Sequence, residues 1–176
     1  MSVNHPDRYP LSVLSALLGG GMSSRLFHEV REKRGLGYYV RTSADYYQDC
    51  GGLVSTAGVD PKRVDEAIKV IVDEYEKIYN DGDTITKEEL RKAKEYIKGH
   101  FVLELEDSRS VAEFFASQEL AEKVIDTPEE VLVKIEKVTF DGVDKVAKKY
   151  LVKKGLNLAV IGDFADGKRF KELLGL

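Results

Sequence analysis

Two residues whose types could do chemistry, Arg31 and Tyr38, stand seven positions apart on either side of Gly35. A guanidinium is a planar fork of N–H donors and a phenol offers one O–H donor, so the pair could hold a carbonyl oxygen. Residue types alone favour a plainer interpretation. Arg31 would then be one charge on an exposed helix, and Tyr38 an aromatic residue of a strand that packs in the core.

The pair is predicted to lie at a corner between a helix and a strand. In the stretch from Leu17 to Tyr39, a glycine triplet ends one apolar helix, and Ser23–Ser24 offers a cap for the next. Gly35 fits the left-handed stop of that second helix, and a strand opens at Tyr38. Side chains that straddle such a corner can converge on one point.

This stretch closely resembles the C-terminal half of the pitrilysin-type zinc peptidases, the family of insulin-degrading enzyme and mitochondrial processing peptidase. The resemblance extends over nearly the whole chain. In that family an arginine and a tyrosine with this spacing reach from the zinc-free half toward the active site, and they match Arg31 and Tyr38. The resemblance implies that the Tyr38 hydroxyl donates to a developing oxyanion while Arg31 holds a neighbouring substrate carbonyl. Tyr39 points to the opposite face of the strand and is the weaker candidate donor.

The glycine triplet has a structural and a functional interpretation. Its backbone N–H groups could meet an anion at a helix N-terminus, but the lysine and the spacing of a P-loop are missing, which favours a structural turn. Related glycine-rich segments border the substrate chamber in the resembled family. The resemblance therefore adds a weaker substrate-binding role for the three residues Gly19, Gly20 and Gly21.

The sequence has no pattern for a zinc site or for a covalent nucleophile. The inverted zinc motif H-x-x-E-H needs two histidines on one helix, and His5, His28 and His100 are too far apart. Cys50 has no neighbouring histidine, and no G-x-S-x-G elbow is present. We expect no cofactor on this chain, and the resemblance places zinc in a separate N-terminal half.

Composition excludes several classes of partner. The chain has 176 residues, of which 43% are apolar and 33% charged, as in globular proteins. A formal net charge of −4 argues against nucleic acid, and no apolar run approaches the roughly 18 residues that span a bilayer. The N-terminal residues lack a signal-peptide pattern, so we expect a cytoplasmic protein unless a targeting segment lies upstream.

The pattern along the chain predicts an α+β domain, with several helices packed on one face of an antiparallel sheet. A hairpin is predicted over Tyr38–Tyr47 and Leu53–Val59, and a late strand over Leu156–Ile161. Capping boxes at Thr86 and Thr127 start two of about seven helices. A further helix, 110–123, is predicted to bury the apolar residues Val111, Phe114, Phe115 and Leu120.

The sheet is predicted to lack its first strand. In the resembled family a strand precedes the helix that here is predicted from Pro10, and the alternative is a degenerate strand over Ser2–Tyr9. An open edge would be a site for pairing with a second copy, giving a homodimer, or with an absent partner half.

We interpret residues 1–176 as one C-terminal half-domain of a zinc metalloendopeptidase, inactive alone, whose partners are a homologous N-terminal catalytic half or subunit and a peptide substrate. A catalytically silent scaffold subunit of the same fold is the main alternative. A stand-alone module that binds partners through strand addition at its open sheet edge is the other.

Overall fold

A buried helix, α1 (Arg8–Gly19), forms the centre of the domain in this computed structural model, which describes residues 1–81, 84–164 and 167–175. It begins two residues before its predicted start at Pro10. Its apolar residues recur at helical spacing, and Leu14 and Leu18 are completely buried. The helix packs on the sheet and on three of the later helices.

The sheet consists of β1 (Gly37–Tyr46) and β2 (Gly51–Val59), which pair antiparallel as the sequence predicts. Side chains alternate between the two faces, so that Val40 and Thr42 are buried beneath α1. Hydroxyl groups of Thr42 and Ser55 lie opposite one another and share a hydrogen bond of 2.6 Å. One face of the hairpin is therefore held against the helical core.

Helices make up most of the remaining chain. Asp60 accepts a hydrogen bond from the Lys62 amide and starts a 3₁₀ turn that leads into the next helix. Both predicted capping boxes are present, at Thr86 with Glu89 and at Thr127 with Glu130. None of the helices in the described ranges has the length and apolar character to cross a membrane. In chain order they are α2 (Val64–Asn80), α3 (Lys87–Glu104), α4 (Ser108–Ala121), α5 (Pro128–Glu136), α6 (Phe140–Tyr150) and α7 (Lys168–Leu174).

The late strand predicted over Leu156–Ile161 is wrong, because the backbone there is irregular. Leu158 is 39% exposed and Ile161 is fully exposed, although both are apolar. A strand exists only where a neighbour completes its hydrogen-bond ladder. In the part of the chain that the structure describes, no strand lies beside this segment.

The predicted burial of α4 side chains is wrong for Phe115 and Leu120, and the other two predicted residues, Val111 and Phe114, are only partly buried. Phe115 is 39% exposed and Leu120 is 78% exposed, and the one buried residue of α4 is Gln118. The cost of burying this polar side chain is offset because its amide donates to the Asp126 carbonyl oxygen and accepts from the Asp126 N–H. Helical spacing determines which residues share a face, but it does not determine whether another element covers that face.

The alternative strand over Ser2–Tyr9 is reduced to a single parallel bridge between Ser2 and Tyr47. The Val3 amide donates to the Tyr47 carbonyl oxygen at 2.8 Å, and the chain then turns into α1. Among the described residues the sheet has two strands, and no strand pairs along the outer edge of β2.

Candidate functional site

The corner between α1 and β1 contains a helical segment, 25–32, whose last six residues, Phe27–Glu32, form a π-helix. The Lys33 amide donates to the His28 carbonyl oxygen at 2.9 Å, which is the i→i+5 bond of a π-helical turn. Gly35 then adopts a left-handed conformation with φ of 55°, as predicted. The chain reverses here, and β1 begins two residues later.

The predicted serine cap of this segment does not involve the Ser24 hydroxyl. Ser24 Oγ is buried and has no hydrogen-bond partner among the described residues. The backbone provides the first turn instead, because the Ser24 carbonyl oxygen accepts from the His28 amide at 3.1 Å.

Tyr38 is the extra residue of a β-bulge. Gly37 lies opposite Val59 and Tyr39 lies opposite Gly58. Between these two pairs, β1 advances by two residues while β2 advances by one. A bulge changes the direction in which a side chain points, and Tyr38 is 84% exposed. The ring of Tyr39, in contrast, covers Gly58, where an added Cβ would lie 2.5 Å from it.

The structure brings Arg31 and Tyr38 together on the surface. The Arg31 guanidinium carbon lies 5.7 Å from the centroid of the Tyr38 ring, and both side chains are exposed. The same carbon lies 5.0 Å from the centroid of the Phe27 ring. These are cation–π distances, and the arrangement leaves N–H and O–H donors accessible at one place.

Arg31 differs from the two other arginines nearby, because each of those pairs with a carboxylate. Arg25 donates to Glu89 at 2.7 Å, and Arg34 donates to Glu29. Within the described ranges, the Arg31 side chain has aromatic contacts but no hydrogen bond or ion pair. Its donors are therefore free to bind an acceptor from another molecule.

The glycine triplet lies where elements approach closely. A Cβ on Gly19 would lie 2.4 Å from the backbone nitrogen of Thr42, and a Cβ on Gly20 or Gly21 would meet the ring of Tyr96 at 2.9 Å. This packing explains the residue type at all three positions. The substrate-binding role of Gly19, Gly20 and Gly21 stays a prediction.

Among the residues in the described ranges, no group of three or more histidine, cysteine, aspartate or glutamate side chains is placed to hold a metal ion. His28 instead contacts Glu32 at 2.6 Å, and His100 contacts the Tyr96 carbonyl oxygen at 3.0 Å. Cys50 is exposed, and a hydrogen bond to Asp49 raises the pKa of its thiol, which disfavours the nucleophilic thiolate.

Two features of the site were missed from the sequence. Phe27 precedes Arg31 by four residues, a spacing that places two helical side chains on one face, so this contact could have been found. The bulge at Tyr38 had no comparable signal, because the register between strands depends on the partner strand.

The fold and the site together define an α+β domain that presents exposed N–H and O–H donors of Arg31 and Tyr38 at the corner between a helix and a strand. A sequence profile of the family described as "Peptidase M16 inactive domain" matches residues 1–97. The chain therefore belongs to this family, and it is an inactive domain of a family of hydrolases. The resemblance found in the stretch from Leu17 to Tyr39 is confirmed.

Relatives and solved structures agree with this assignment. The chain is 41% identical to an uncharacterised zinc protease of Mycobacterium tuberculosis over 167 residues, 95% of this chain and 37% of that protein. It is 29% identical to the human mitochondrial-processing peptidase subunit alpha, over 91% of this chain and 32% of that protein. The chain thus spans about a third of the length of these relatives.

The fold agrees with a crystal structure of a peptidase M16 inactive domain from Pseudomonas fluorescens, with a TM-score of 0.75. The superposition covers 85% of this chain and 35% of that one, at 22% sequence identity. The predicted class, α+β with helices on an antiparallel sheet, is confirmed.

Proposed function

We propose that this chain closes the substrate chamber of a zinc metalloendopeptidase and supplies Arg31 and Tyr38 to bind the peptide and stabilise the transition state. The observation that carries the proposal is the pairing of these two exposed side chains at 5.7 Å, with no acceptor on Arg31 within the described residues. A purely structural arginine on this helix would be expected to pair with a carboxylate, as Arg25 and Arg34 do.

The chemistry of the pair follows from its donors. In the proposed complex the Tyr38 hydroxyl donates to the oxygen of the scissile carbonyl as negative charge develops on it. The Arg31 guanidinium donates to a neighbouring carbonyl oxygen of the peptide and fixes its register. Lewis-acid and water-activating chemistry is supplied by zinc bound in the homologous half. Alone, the chain is inactive in this proposal.

The test combines the chain with its zinc-binding half, in trans or as one polypeptide, and follows cleavage of a fluorogenic peptide. We expect Tyr38→Phe to lower kcat by about 10²–10³, the range seen when one oxyanion donor is removed. Arg31→Ala removes charge-assisted hydrogen bonds and should lower kcat/KM by roughly 10- to 100-fold. Tyr39→Phe is the matched control, because it removes a hydroxyl from the neighbouring ring and should have no effect on turnover.

Wild-type turnover in both Tyr38→Phe and Arg31→Ala would reject the assigned roles. If the combined wild-type halves bind one another but cleave no peptide, the scaffold alternative is favoured instead. Cleavage by the isolated chain would contradict the proposal that the metal chemistry resides in the other half.

A further inference from the structure

Phe27 lies closer to Arg31 than Tyr38 does, and nothing in the proposed function assigns it a role. We infer that Phe27 is a positioning residue, whose ring holds the Arg31 guanidinium in the orientation that binds the peptide. The inference rests on the proposed function and extends it to a residue that does not contact the substrate itself.

Phe27 is suited to hold the guanidinium because the two side chains differ in burial. The ring of Phe27 is partly buried and packs against the main core, whereas Arg31 is exposed. The guanidinium carbon lies 5.0 Å from the Phe27 centroid and 5.7 Å from the Tyr38 centroid. An exposed arginine has many rotamers, and two ring contacts reduce the number that it populates.

The acidic side chains of the same segment do not compete for Arg31. Glu29 is bound by Lys33 and Arg34, and Glu32 contacts His28. A carboxylate partner would use the N–H donors that a substrate carbonyl needs. A ring face attracts the cation without using those donors, so the guanidinium is oriented and still able to bind.

The backbone supports the same arrangement. The π-helical turn that contains both residues has one more residue per hydrogen-bonded ring than an α-helix, and it ends three residues before the reversal at Gly35. The bulge in β1 then presents Tyr38 to the same guanidinium. Two irregularities, one on each side of the corner, thus bring three side chains together.

The test is a double-mutant cycle in the assembled two-half enzyme, with kcat/KM for a fluorogenic peptide as the readout. We expect Phe27→Leu to lower kcat/KM by about two- to fivefold, the scale of one exposed cation–π contact. Phe27→Tyr keeps a ring face and should retain wild-type kcat/KM. Phe140→Leu is the matched control, because Phe140 is also partly buried against the main core and lies in α6, away from the corner.

The decisive comparison uses the Arg31→Ala background. If Phe27 acts through Arg31, Phe27→Leu has no further effect there, and the two effects are not additive. Two results would overturn the inference even if Arg31→Ala is impaired. One is that Phe27→Leu lowers kcat/KM equally in the wild-type and the Arg31→Ala backgrounds, and the other is that Phe27→Leu leaves kcat/KM unchanged in the wild-type background.

Wild-type kcat/KM for Arg31→Ala would overturn the role of Arg31 and this inference together. Thermal unfolding of each variant separates these effects from a loss of stability, which the cycle alone would not show.

Discussion

Two arginines at the corner between α1 and β1, Arg31 and Arg34, lie three positions apart in the sequence but have different surroundings. Arg34 donates to both the carboxylate and the backbone carbonyl oxygen of Glu29, and the hydrogen bond to the carboxylate raises the pKa of Arg34. Arg31 lies against rings instead. Glu29 therefore binds the guanidinium of Arg34, whereas the guanidinium of Arg31 keeps its donors free.

Glu29 should make the stability of the domain sensitive to acid. Burial raises the pKa of this carboxyl, but hydrogen bonds from Lys33 and Arg34 outweigh that effect and lower it from 4.5 to about 2. A lowered pKa in the folded state stabilises the fold above the ordinary value, and this contribution is lost as the pH falls toward 2. We expect Glu29→Gln to lower the free energy of unfolding most at neutral pH, with the difference from wild type closing below pH 4.5.

The measurement is urea unfolding of wild type and Glu29→Gln across the acid range. Replacing both donors, with Lys33→Gln and Arg34→Gln in one variant, should remove the same pH dependence. A difference between wild type and Glu29→Gln that stays constant from neutral pH to pH 2 would contradict the assignment.

At the level of single residues, the sequence predicted the positions of the donors but not their contacts. The glycine stop at Gly35, between a helical pattern and a strand pattern, was sufficient to predict the corner that separates Arg31 from Tyr38. Which acid pairs with which base was not predictable, because Glu29 could have reached several cations on the same helix. Packing of the chain around the corner decides that choice.

At the level of elements, the contact between α1 and β1 depends on the absence of a side chain at Gly19. A Cβ at Gly19 would lie 2.4 Å from Thr42 N and 2.5 Å from Thr42 Oγ1, so either α1 or β1 must shift to accommodate it. Overpacking of this kind costs about 1–3 kcal/mol. We expect Gly19→Ala to lower the free energy of unfolding by that amount in urea denaturation.

Gly52→Ala is the control for this prediction, because a Cβ at Gly52 has no atom within 4 Å. Its effect on unfolding should be close to zero. If Gly19→Ala is as stable as wild type, the packing explanation for Gly19 fails.

Several element boundaries were predictable from a local signal, although the Ser24 hydroxyl does not cap its helix. Thr86 and Thr127 cap their helices with their own side chains, and Gly35 stops its helix through its own backbone conformation. The prediction of a strand over Leu156–Ile161 was wrong because a strand requires a neighbouring strand. The prediction that Leu120 is buried was wrong because its burial requires another element to cover α4.

At the level of the whole molecule, the two-stranded sheet is small for seven helices, and the outer edge of β2 is unpaired among the described residues. Val54 and Thr56 are exposed on the face of β2 that points away from the helices. An exposed strand edge has unpaired backbone N–H and C=O groups and is a template for another strand, and no charged side chain at Val54 or Thr56 opposes this pairing. The same edge could receive a second copy or a homologous half, and these two partners would then compete.

We expect the isolated chain to form a concentration-dependent dimer through β2, measurable by sedimentation velocity. In a two-fold pair, Thr56→Lys brings like charges to one edge and should weaken the dimer by about 1 kcal/mol, or roughly fivefold. Thr56→Val keeps the shape of the threonine side chain, introduces no charge and should leave the dimer intact.

Adding the zinc-binding half should convert the homodimer into a complex of the two different halves. A wild-type chain that stays monomeric at its highest soluble concentration would show that this edge is not used for self-association. A homodimer that persists unchanged beside the bound zinc half would show that the two contacts use different surfaces.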